Sequence, residues 1–168
     1  LITLAKGITG GILPPGALVV SSAVAEPFFT GEPGAPVLRH GATYGGHPTC
    51  CAAANAALDV YETGVLERGR LLEGELETAL RASESSPLVA EVRAGTGLIG
   101  AVEIDAELLA ARPDAPLRLA LACREEGVLV RPLGRGVAVS PPLTIEPGQI
   151  ATIGTAIGAG IARMAADV

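Results

Sequence analysis

Three residues stand where their type and their neighbours could do chemistry: Lys6, Thr43 and Arg131. Lys6 is the only lysine among twelve Lys and Arg residues, in the run Leu4-Ala5-Lys6-Gly7-Ile8-Thr9-Gly10-Gly11. A guanidinium stays protonated and cannot capture a carbonyl. A lysine amine loses its proton when desolvated or set near other cations, and can then form a Schiff base. The glycines after Lys6 let other backbone or a flat ligand come close. An ordinary loop lysine is the plain alternative, and a coding bias toward Arg and Ala would by itself make lysine scarce. Thr43 lies in His40-Gly41-Ala42-Thr43-Tyr44-Gly45-Gly46-His47-Pro48, a glycine-rich segment that runs into a helix. Backbone amides in such a segment, together with a helix start, bind anions, phosphate above all. A turn that only caps its own helix is the alternative, and His47 reads equally as a capping or a packing residue. Arg131 follows the apolar run Val128-Leu129-Val130 and precedes Pro132. An arginine that ends a buried strand either clamps a substrate carboxylate with its fork or forms a structural ion pair. Gly95-Thr96-Gly97 lacks the GxGxxG spacing of a dinucleotide site and reads as a tight turn.

Composition narrows the class. Nearly half the chain is hydrophobic, but only 2% is aromatic and there is no Trp, so Ala, Leu, Val, Ile and Gly must fill the core. The charged fraction of 18% falls below the usual quarter, which suits apolar faces that expect a partner. A net charge of −6 with no basic stripe argues against nucleic acid. No apolar run approaches the length that crosses a membrane, so no membrane role is expected. Cys50, Cys51 and Cys123 offer no CxxC spacing and no metal set, and a reduced, cytoplasmic setting is expected. The chain opens inside an apolar run with no initiator Met, and so reads as cut from something longer.

The elements that must position these residues can be read along the chain. Residues 1–5 read as the end of a buried strand, 17–22 as a second strand and 23–29 as a short helix. Residues 30–36 form a Gly/Pro loop. Pro48 suits a first helical turn, and the Ala-rich stretch from Thr49 to Tyr61 reads as a helix buried on all sides or packed closely on another. Gly64 interrupts it. Leu66 to Ala82 continues as an amphipathic helix with Leu66, Leu72, Leu76 and Leu80 inside. Two strands, 88–93 and 98–104, flank the glycine turn. A helix from Pro116 to Glu126 stops at Gly127. Strands at 128–131 and 137–140 form a hairpin, and a last helix runs from about Pro147 to Met164. The expected domains are residues 1–62 and residues 63–168, the second a small antiparallel sheet with helices on one side.

Taken in order, three segments resemble the class III, pyridoxal-phosphate-dependent aminotransferases. They are Ala5-Lys6-Gly7-Ile8-Thr9-Gly10-Gly11, then His40 to Pro48 with its Ala-rich helix, then Gly127-Val128-Leu129-Val130-Arg131-Pro132-Leu133-Gly134 closing on Ser140-Pro141-Pro142-Leu143. The likeness covers the whole chain. It is nearest the branch with the omega-amino-acid:pyruvate and diaminononanoate enzymes. The resemblance implies an α/β fold, the C-terminal part of a fold-type-I aminotransferase. Residues 1–62 would end the large cofactor domain and residues 63–168 would be the small C-terminal domain. It implies transamination between a small-molecule amino donor and a keto acid or aldehyde, with pyridoxal 5'-phosphate as cofactor. By the same resemblance, Lys6 matches the Schiff-base lysine that also shuttles the substrate proton. Thr43 matches the threonine that binds the cofactor phosphate across a homodimer interface, and Arg131 the arginine that receives the substrate carboxylate. Ile12-Leu13-Pro14-Pro15 departs from the family's aromatic and single proline, which bears on substrate choice. The family's phosphate-binding Gly/Ser turn, stacking aromatic and ring-nitrogen Asp lie upstream of the lysine. No residue here answers to them, so the resemblance implies a chain that is inactive or nearly so alone. An aminomutase or racemase on the same scaffold, and a non-catalytic dimerisation module, are the competing expectations.

Overall fold

Gly64 divides the chain. In the computed structural model, which describes residues 1–166, the backbone gathers into two units, Leu1–Gly64 and Val65 onward. Gly64 has φ 96°, a conformation that side-chain-bearing residues avoid, and it sits in a π turn, Tyr61–Val65, at the break expected from sequence.

In the first unit, strand β1 (Ile2–Leu4) pairs antiparallel with β2 (Ala17–Val19), Ile2 opposite Val19. A 3-10 turn, Lys6–Thr9, leaves β1. Helix α1 (Ser22–Ala25) and a 3-10 turn, Glu26–Phe28, follow β2. Helix α2 (Pro48–Val60) begins with Pro48 inside its first turn, where a missing N–H costs nothing. Burial departs from expectation. Thr9 is the one buried residue of this unit. Ile2 is 59% exposed, and no residue of α2 is buried. The apolar character of β1 was expected to mean burial, and that of α2 burial or close packing on another helix, but residues 1–64 supply no second layer to cover them.

The second unit holds the apolar core. The helix expected over 66–82 is broken at Leu72 into α3 (Leu66–Leu71) and α4 (Glu73–Arg81). Leu72, Leu76 and Leu80, spaced four apart, are buried together on one face. Leu66, expected with them, is 48% exposed, because the break ends the stripe. Strands β3 (Val89–Arg93), β4 (Gly100–Ile104), β5 (Arg131–Leu133) and β6 (Gly136–Val139) form an antiparallel sheet in the order β3-β4-β6-β5. Register puts Val92, Val102, Val137 and Pro132 in one row across it, and the three valines are buried. Helices α4, α6 (Ala115–Glu125) and α7 (Pro147–Ala166) supply most of the rest of the core, with Leu98, Leu108, Val128 and Ile145 completing it. The opposite face carries the row Arg93, Ala101, Ala138 and Arg131. On that face the Glu103 carboxylate is buried between Arg93 at 2.9 Å and Arg135 at 2.6 Å. Helices α4 and α7 cross closely because Gly154 has no side chain, and a Cβ there would lie 2.7 Å from the Ala79 carbonyl oxygen. Cys123 is wholly buried, and burial pushes its thiol up to about 11, so it packs as a neutral side chain.

One element escaped the sequence reading. Helix α5 (Ala106–Ala111) begins at Asp105, whose carboxylate accepts the backbone N–H groups of Glu107 at 2.9 Å and Leu108 at 3.1 Å. That satisfies two of the donors a helix start leaves unpaired. Asp105→Ala is expected to cost about 1 kcal/mol, read as a lower urea midpoint at unchanged slope. An unchanged midpoint would show that the cap contributes nothing.

Candidate functional site

Lys6 opens the turn that leaves β1, and its backbone is unusual. Its φ of 47° makes it the only non-glycine residue at positive φ among the described residues. The left-handed region crowds a Cβ against the backbone, so a lysine stays there only when its surroundings over-determine it. Two anchors do so. Thr9 is fully buried and its Oγ1 donates to the Leu13 carbonyl at 2.6 Å while accepting the Leu13 N–H at 3.2 Å. This closes the chain from Thr9 to Leu13 into a tight loop. From the far end of α2, the Tyr61 hydroxyl donates to the Gly7 carbonyl at 2.5 Å, across 54 residues of sequence. Helix α2 packs on the same turn. The Lys6 ammonium has no carboxylate within ion-pair distance among the described residues, and it lines an open cleft of about 500 Å³ with Gly11, Ile12, Leu13 and Pro14.

Thr43 begins a turn that leads to α2. The Gly45 N–H donates to Ala42 at 2.9 Å, Gly46 adopts φ 70°, and the His47 N–H donates to Tyr44 at 3.2 Å. Thr43 is exposed, and its hydroxyl has no hydrogen bond among the described residues. His47 occupies the N-cap position of α2, but its side chain caps nothing. Its ring lies 6.0 Å from that of Tyr44, centre to centre, and its Nδ1 is buried without a partner among the described residues. A buried polar atom without a partner is uncommon and costly. The capping role considered for His47 is therefore absent, and the packing role is present. No hydrogen bond joins Lys6 to Thr43.

Arg131 belongs to the second unit. The expected strand over 128–131 ended on it; instead it starts β5, and Val128, Leu129 and Val130 form a connector. The cause is the end of α6. Gly127, at φ 81°, donates its N–H to Arg124 at 3.0 Å, and Val128 donates to Cys123 at 2.9 Å, the paired bonds of a Schellman motif. That closure consumes the residues that would have begun a strand. Arg131 stands opposite Ala138 on the sheet face away from the core, exposed and with no ion pair among the described residues. The structural ion pair considered for it is not present there.

Tyr61 is the residue that sequence reading missed. Its one local signal is a hydroxyl-bearing aromatic at the end of an Ala-rich helix, just before a glycine break.

The chain matches the family model described as "Aminotransferase class-III" over residues 1–160. It is 35% identical over 155 residues to an omega-aminotransferase of Caulobacter vibrioides, an alignment covering 89% of this chain and 34% of that protein. It is 37% identical over 159 residues to the adenosylmethionine-8-amino-7-oxononanoate aminotransferase of Nitratidesulfovibrio vulgaris, covering 91% of this chain and 29% of that protein. Among solved structures, an (S)-enantioselective omega-transaminase from Thermomicrobium roseum superposes with a TM-score of 0.85 at 32% identity, over 96% of this chain and 36% of that one. The chain spans about a third of the length of the curated relatives it matches.

Proposed function

The chain belongs to the class-III aminotransferase family, and we propose that it contributes Lys6, Thr43 and Arg131 to a site that exchanges an amino group between a donor and a keto acid or aldehyde. The observation that carries this reading is the strained backbone of Lys6, the single non-glycine residue held at positive φ. Strain of that kind collects at active sites. The family is pyridoxal-phosphate-dependent. When bound, that cofactor supplies the electron sink that lets the carbon bearing the amino group lose a proton.

The residues present fit such a group. Among the described residues, Lys6 offers an amine with no competing carboxylate and Thr43 a hydroxyl with no partner, and the Nδ1 of His47, four residues on, is orphaned. We assign Lys6 as the covalent anchor, whose Nζ also takes the proton from the substrate Cα and returns it. Thr43 would donate its hydroxyl to the cofactor phosphate, in the site of a second copy of the subunit. Arg131 presents its fork to a substrate carboxylate. Residues 1–62 are then part of the cofactor domain, and residues 63–168 the small domain that carries Arg131. The 168 residues alone are expected to turn over little or nothing, since the family's ring-nitrogen Asp has no counterpart in them. No helix among the described residues is long and apolar enough to cross a membrane. Three free thiols suit the proposed cytoplasmic setting.

Amino exchange that proceeds with a donor but no acceptor would replace transamination by an aminomutase or racemase. A full subunit containing this chain that shows neither reaction would leave the dimerisation module. For Arg131, Arg131→Lys is expected to raise KM about tenfold for a donor carrying a carboxylate, because one of two parallel charged hydrogen bonds is lost. KM for an amine without a carboxylate should hold. An equal rise for both donors would remove Arg131 from the carboxylate role.

A further inference from the structure

We propose that Tyr61 is a positioning residue for Lys6: by donating its hydroxyl to the Gly7 carbonyl it holds Lys6 in its left-handed backbone conformation and so fixes where the amine is presented. This rests on the reading of Lys6 as the covalent anchor. Four observations carry it. Lys6 is the only non-glycine at positive φ among the described residues, so something must offset its strain. Gly7 is the next residue, and its carbonyl, which also accepts the Gly10 N–H at 3.0 Å, belongs to the peptide unit that follows the one leaving Lys6. The Tyr61 bond is short, 2.5 Å, and spans 54 residues, so it ties the turn to a separate helix rather than to itself. Thr9, the only buried residue of the first unit, holds the far side of the turn through Leu13; on the near side the Ile8 N–H donates to the Ala5 carbonyl at 3.2 Å, and Tyr61 adds the side-chain tie from outside the turn.

The π turn explains why a tyrosine at the end of α2 can reach. Gly64 breaks the helix three residues later, and Tyr61 falls at the bend. Tyr61 touches no reacting atom in this assignment. It acts through the backbone.

The test is Tyr61→Phe, which removes one oxygen and keeps the ring. Two quantities are measured on the full chain. One is the NMR coupling between the Lys6 amide proton and its Hα, which reports φ. The other is the rate at which stoichiometric pyridoxal phosphate becomes fixed to Lys6 on borohydride reduction, located by peptide mass. Lys6 is the only lysine, so the amino terminus is the single other amine to separate. Tyr61→Phe should move the coupling toward its value for ordinary negative φ and slow fixation about tenfold, the equilibrium weight of one good hydrogen bond. An unchanged coupling, or a changed coupling with an unchanged fixation rate, overturns the proposal. Collapse of the whole first unit in Tyr61→Phe, seen as loss of amide protection from residue 2 to 60, would make the bond merely structural and overturns it too. If the unsubstituted chain fixes no cofactor on Lys6 while the coupling still shifts in Tyr61→Phe, the anchor reading fails and the backbone clamp stands.

Discussion

Lys6→Arg is expected to abolish borohydride-fixed pyridoxal phosphate at position 6, and to lower amino exchange by at least about a thousandfold in any assembly that turns over. The charge is retained, so loss cannot be assigned to electrostatics. What disappears is an amine that can be deprotonated. A guanidinium keeps its proton at any pH the protein survives, so it can neither attach to a carbonyl nor carry a proton between substrate atoms. On the proposed assignment, two functions go with one substitution. The backbone should hardly notice, because Lys6 makes no ion pair among the described residues and lines an open cleft. A variant that exchanges amino groups within tenfold of the unsubstituted protein would remove Lys6 from the chemistry. Cofactor fixed on the amino terminus and not on Lys6 would do the same.

Gly136→Ala is expected to give the largest loss of stability. Gly136 pairs with Glu103 across β4 and β6. A Cβ on it would lie 2.0 Å from the Val102 carbonyl oxygen and 2.9 Å from the Glu103 Cα. Both are backbone atoms of the neighbouring strand, so no side chain can swing away to relieve the clash. β4 and β6 must part, and the same shift disturbs the Glu103 carboxylate between Arg93 and Arg135. Overpacking of this kind costs about 3 kcal/mol, which for a unit of this size lowers the melting temperature by more than about 10 °C. Gly134, in the same hairpin, is the internal control. A Cβ there meets nothing within 4 Å, so Gly134→Ala should change stability by less than about 0.5 kcal/mol. If the two substitutions cost the same, close strand packing at Gly136 is not what excludes a side chain.

Local signals in the sequence located most elements. Pro48 marked the start of α2, Gly127 the end of α6, and the four-residue spacing of Leu72, Leu76 and Leu80 the inner face of α4. Each depends on neighbours within one or two turns. Burial in the first unit was misread for the opposite reason. Ile2 and the alanines of α2 are apolar, but whether an apolar residue is covered depends on layers that local pattern does not contain. Arg131 shows the intermediate case. Val128-Leu129-Val130 has strand composition, yet the Schellman closure at Gly127 takes up its backbone and defers β5 by three residues. Asp105 is legible: an acidic residue before Ala-Glu-Leu-Leu is a recognisable N-cap. Tyr61 was not legible, because its partner lies 54 residues away. Lys6, Thr43 and Arg131 were each ambiguous alone. Their order along the chain pointed to a family, and the family match followed over residues 1–160. The left-handed backbone of Lys6 had no signal in sequence, since only glycine announces that conformation.

The buried apolar residues all lie beyond residue 71, whereas Lys6 and Thr43 lie in a unit whose one buried residue is Thr9. Mutational tolerance is therefore partitioned along this polypeptide. Within this chain, changes beside Lys6 or Thr43, such as those at Ile12 or Tyr44, remove little buried area and draw little on the free energy of its core. Changes around Arg131 begin from a strand hydrogen-bonded to the core sheet, and are the more constrained of the two.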